Sequence, residues 1–131
     1  MSVRGIRGAT TAGANTADGI VVATDRLLRA MIDANAVKAE DVASVFFTTT
    51  PDLNAEFPAA AARALGWKKV PLLCATEIEV PGRVQLCIRV LMLVNTELAQ
   101  TDIRHVYLEG AARLRPDLSG EESPETAGTT F

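Results

Sequence analysis

Histidine occurs once in this chain, at position 105, and cysteine twice, at positions 74 and 87. So few His and Cys side chains cannot build a closed metal cluster of that type within one chain. The two thiols form no CxxC pair, which removes a redox motif and a disulfide framework. A Ser-His-Asp triad lacks the GxSxG turn that would present its serine. Neither the GxGxxG nor the P-loop glycine pattern occurs. No apolar run reaches the ~18 residues of a membrane span, and the first five residues lack the apolar segment of a secretory signal. The cytoplasm is therefore the expected compartment. Four Phe, one Trp, one Tyr, no basic block and a net charge of -3 argue against general nucleic-acid binding.

What is present is an ordinary globular composition, 48% hydrophobic and 22% charged over 131 residues. We expect one domain over residues 1–118, followed by a polar, acidic, turn-rich mobile tail over 119–131. Residues 3–11 carry β-branched positions and two Arg-Gly steps, and read as a first strand. Beside a glycine, the Arg7 guanidinium is either accessible to a ligand or simply solvated. Apolar residues from Ile20 to Ile32 recur at helical spacing and predict a long amphipathic helix over 16–34, with Thr16 or Asn15 as its cap. Residues 42–50 read as a second strand ended by Pro51. A short Ala-rich helix runs from Pro58 to Leu65, is stopped by Gly66, and projects Arg63. Strands follow over 70–79, 87–95 and 104–108. Trp67 and His105 read as structural.

The pattern predicts an α+β fold, a mixed five-stranded sheet with helices on one face. The uncovered face is apolar enough to imply burial against other subunits. One residue in it stands out. Arg89 lies inside the run Leu86 to Val94, and arginine is almost never buried without a partner. It must face a carboxylate of the protein, most simply Glu77, or an anionic ligand. Arg7, Glu77, Arg89 and Tyr107 together make a poor acid-base engine, since none has an intrinsic pKa near neutrality. They suit a small, hydroxylated molecule with several carboxylates, which arginines grip through paired N–H donors.

Several stretches resemble the monofunctional chorismate mutases of the AroH class. They are Arg4 to Thr11, Thr50 to Leu53, Phe57 to Ala59, Val70-Pro71, Cys74, Glu77, Cys87 to Val90, Ile103 to Glu109 and Leu114 to Leu118, in unchanged order. The resemblance implies a homotrimer whose sheets form a barrel-like centre, with active sites at subunit interfaces. It implies chorismate as substrate and prephenate as product, with no cofactor and no metal. In that scheme Arg89 reaches the ether oxygen and a carboxylate, Glu77 accepts from the ring hydroxyl, and Arg7 and Tyr107 hold the side-chain carboxylate. The backbone around Leu73 and Cys74 lines the pocket. Phe57, Arg63, Leu114 and Arg115 come from the adjacent subunit, and Ala59 belongs to the same binding set. One departure is Ala60, where members of the class often carry Lys. Two other readings fit the same architecture: a non-catalytic trimer that binds a carboxylate metabolite, and a Rid-type imine deaminase.

Overall fold

The computed structural model describes residues 1–113, with the side chain of Arg113 excluded. The expected tail and the positions of Leu114 and Arg115 lie outside the described residues. Five strands are present: β1 (Ser2–Thr11), β2 (Val42–Thr49), β3 (Leu72–Thr76), β4 (Cys87–Thr96) and β5 (Val106–Tyr107). They form one sheet in the order β3-β2-β4-β1-β5. β4 is antiparallel to both of its neighbours, whereas β3 with β2 and β5 with β1 are parallel pairs, so the sheet is mixed.

Helix α1 (Ala17–Asn35) starts where the Thr16 hydroxyl accepts the Gly19 N–H at 2.9 Å, and ends where Ala36 turns into the left-handed region. Its fully buried Leu27, Leu28 and Met31 pack with Ile6, Val45, Phe47, Val90 and Met92 from the sheet. Helix α2 (Ala59–Ala64) joins the same core through Ala59, Ala61 and Ala62, and Trp67 packs there too. Both helices thus cover one face. Gly8 permits the close approach of α1: a Cβ at that position would run into Met31 Sδ and lie 3.1 Å from Leu27 Cδ1. Among the described residues, no helix is long and apolar enough to cross a membrane.

Two strands are shorter than their sequence predicts. β3 stops at Thr76 because β2, its one neighbour among the described residues, stops at Thr49; the last rung is the Glu77 N–H donating to Thr49 O at 2.7 Å. Glu77 therefore sits just past the strand. β5 loses Arg104 and His105 because the Asn35 side chain takes both backbone groups of Arg104, at 2.8 and 2.9 Å, and draws the chain toward α1. Pro58 occupies the helix cap rather than the first turn, a difference of one residue.

On the other face the strand registers align side chains in rows. Ala75, Thr48, Arg89, Ala9 and Tyr107 form one row across all five strands, and Leu73, Phe46, Leu91 and Arg7 form the next. Neither α1 nor α2 covers this face, though the 3-10 turn Glu109–Arg113 packs Ala111 against Ala9, Cys87 and Tyr107 at one end of it. Val3, Phe46 and Leu73 on it are 56%, 38% and 58% exposed.

Candidate active site

Arg89 is fixed by position rather than by any special local sequence. Alternation along β4 sends Ile88 and Val90 into the helix-side core and the guanidinium to the open face. Its row neighbours are Ala9 on one side, fully buried, and Thr48 on the other. The Arg89 Nη1 lies 3.2 Å from Glu77 Oε1, with side-chain exposures of 7% and 22%. The two walls of the turn after β2 and the loop 77–85 then rise on one side. They enclose a cleft of about 430 Å³ lined by Thr50, Pro51, Asp52, Glu77, the following loop and Arg89. That volume suits a small metabolite.

The root of β4 is braced from below. Thr50 exchanges backbone and hydroxyl hydrogen bonds with Cys87, the Cys87 N–H donating to Thr50 Oγ1 at 2.9 Å. Asp52 accepts the Leu86 N–H at 2.9 Å, holding Leu86 at a φ of 52°. These bonds set where the strand begins, and hence how Arg89 is aimed two residues later. Cys87 is buried beside Arg89. Burial pushes its thiol up from the ordinary range, while the Arg89 guanidinium opposes that and Glu77 and Asp52 reinforce it. It is packing, not a nucleophile at neutral pH.

Residues 3–118 match the family described as chorismate mutase type I. The chain belongs to that family. It is 48% identical over 126 residues to the chorismate mutase AroH of Bacillus subtilis (strain 168), an alignment covering 95% of this chain and 99% of that one. It is 50% identical over 121 residues to the chorismate mutase AroH of Thermus thermophilus, covering 92% and 99%. A solved chorismate mutase from Clostridium thermocellum superposes with a TM-score of 0.81 at 52% identity, covering 82% of this chain and 96% of that one.

Set against this chorismate mutase fold, the candidate residues fall into two groups. Arg89 and Glu77 meet directly. Tyr107 stands in the same row with Ala9 between, buried with Ala9, Cys87 and Ala111, and Arg7 lies one row along on the same face. Ala59 and Arg63 lie on α2 in the helix layer, on the opposite side of the sheet. Phe57, 65% exposed, and Cys74 line a second cleft of about 360 Å³ beside the edge strand β3. The two groups do not meet within one chain. The Cys74 side chain packs against the helix-side core, so only its backbone is shared with the row that holds Leu73. Ala59 is 3% exposed and its methyl lies in the helix-side core. Sequence reasoning missed Thr48, whose buried hydroxyl stands beside Arg89 with no hydrogen-bond partner among the described residues. Strict alternation from Phe47 would have put it on that face.

Proposed function

We infer that this protein rearranges chorismate to prephenate. The observation that carries the reading is the Arg89 guanidinium, held on a rigid strand against Glu77 at the wall of a metabolite-sized cleft. The reaction is a unimolecular Claisen rearrangement: the ether C–O bond breaks as a C–C bond forms, and charge builds on the ether oxygen. No proton need move. The protein's part is to hold the enolpyruvyl arm over the ring and to present positive charge to that oxygen.

Arg89 has more than one N–H donor, so one edge can bind Glu77 while another faces the substrate. The carboxylate that orients the arginine also accepts from the ring hydroxyl, which couples substrate position to the charge. Arg7 and Tyr107, on the same face, receive the side-chain carboxylate. Glu77 lowers the net charge of the pair but keeps the guanidinium from swinging away, and such preorganisation is what lowers a barrier.

The working form in this reading is a homotrimer in the cytoplasm. Two features support the trimer: an apolar sheet face carrying Val3, Phe46 and Leu73, and candidate residues that line two separate clefts of one chain. Packing the open faces together buries the first and lets a neighbour's Phe57 and Arg63 complete the site. Leu114 and Arg115 are assigned to the same rim, with the domain ending near residue 118.

Purified protein mixed with chorismate tests the activity, read as loss of the diene absorbance and gain of prephenate. Conversion far above the uncatalysed rate supports a mutase. Binding without conversion leaves a carboxylate-binding trimer, and hydrolysis of an imine substrate instead points to a deaminase. Light scattering in solution tests the trimer separately.

A further inference from the structure

We propose that His105 is a positioning residue, standing in for a missing rung between β1 and β5 and thereby setting Arg7 against Tyr107. The proposal rests on the reading of Arg7 and Tyr107 as carboxylate-holding residues. β5 makes just two register pairs, Gly8 with Val106 and Ala9 with Tyr107, and the Leu108 N–H donates to Ala9 O at 2.9 Å. Arg7 is two residues before Ala9, so its backbone groups point toward the same side. A third rung there would come from the backbone near residue 105. It is unavailable, because Asn35 has drawn Arg104 away toward α1, its own amide also donating to Met31 O at 3.0 Å.

The imidazole fills the gap. The Arg7 N–H donates to His105 Nδ1 at 2.9 Å. That bond requires Nδ1 to be without a proton, so the neutral ring carries its hydrogen on Nε2. Lys and Arg cannot accept, and Ala would leave a half-buried N–H without its partner. The result is a short closed path: Arg7, the imidazole, the backbone of residues 105–107, and Tyr107. The two side chains at its ends stand on the open face, in adjacent rows. Arg89 and Glu77 are outside this path, being braced through Thr50 and Asp52 instead.

Kinetics with chorismate on the full chain, paired with amide exchange by NMR, test the proposal. Asn at position 105 can place its carbonyl oxygen where Nδ1 sits. His105→Ala is expected to raise KM about three- to tenfold with kcat within about twofold, and to speed Arg7 amide exchange about tenfold. His105→Asn is expected to restore most of both. An unchanged KM in folded His105→Ala overturns the positioning role, and a His105→Asn protein no better than His105→Ala overturns the acceptor role. Should His105→Ala fail to fold, the imidazole nitrogen shifts of the wild type decide: an Nδ1–H tautomer overturns the proposal and Nε2–H upholds it. A wild type inert toward chorismate sinks the functional reading alone, since amide exchange still judges the clamp.

Discussion

Replacing Arg89 by Ala separates catalysis from stability, because the two effects have different sizes at this position. In the proposed mechanism the guanidinium is aimed at the ether oxygen, and one donor aimed at developing charge is worth about 2.7–4 kcal/mol. That predicts a fall in kcat of roughly 10²–10³-fold at 25 °C. The stability cost is smaller. Breaking a fully buried ion pair costs about 3–5 kcal/mol, since it strands a charge. Here the stranded partner is Glu77, 22% exposed at a cleft wall, 3.2 Å from the group removed. Water entering the vacated space can solvate that carboxylate, so about 1–2 kcal/mol is the expected loss. Ile88 and Val90, which anchor β4 on the opposite face, are untouched. Saturating chorismate turnover gives kcat, and thermal unfolding followed by circular dichroism gives the stability. A folded Arg89→Ala protein with kcat within tenfold of wild type would refute the electrostatic role. A loss of cooperative unfolding would refute the claim that β4 is anchored from its other side.

Three further outcomes follow from other parts of the molecule. Gly8→Ala should cost about 1–3 kcal/mol by denaturant unfolding, because its Cβ meets Met31 and Leu27, and Met31→Ala should recover part of that loss; additive losses would contradict the clash. Ala60→Lys should raise kcat/KM a few fold, about two to five, at low salt and lose the gain near 0.5 M salt, if in the proposed trimer α2 of one subunit rims a neighbour's cleft; a salt-independent change would count against electrostatic capture. Alkylation at pH 8 followed by mass spectrometry should label half-buried Cys74 about tenfold faster than Cys87, whose raised thiol pKa leaves less thiolate; equal rates would mean that Cys87 is neither buried nor shifted.

The elements themselves were legible because their signals are local. The Ile20 to Ile32 periodicity located α1 to within a residue, and Thr16 proved to be its cap. The β-branched run from Val42 and the apolar run from Cys87 located two central strands. Strand ends were less legible. β3 ends where its neighbour ends, and β5 is cut short by an asparagine 69 residues earlier in the chain, neither of which leaves a mark in the strand's own residues. His105 was read as structural on the same grounds: its alternation with Tyr107 gave no hint that the ring turns sideways to serve the Arg7 backbone.

For the site, the sequence by itself determined which chemistry was possible. One histidine, two cysteines outside any CxxC pair and an arginine inside an apolar run favoured charge and position as the tools, since no nucleophile-elbow, CxxC or His/Cys metal-cluster pattern occurs. Only the tertiary structure brought Arg89 and Glu77 together. Glu77 reaches it because β3 and β4 flank the same strand and the last rung of β3 stops the chain at that height. Only the structure, too, divided the candidates between the two faces of the sheet. A side chain's face is set by register across strands far apart in sequence, and no spacing within one strand can report it.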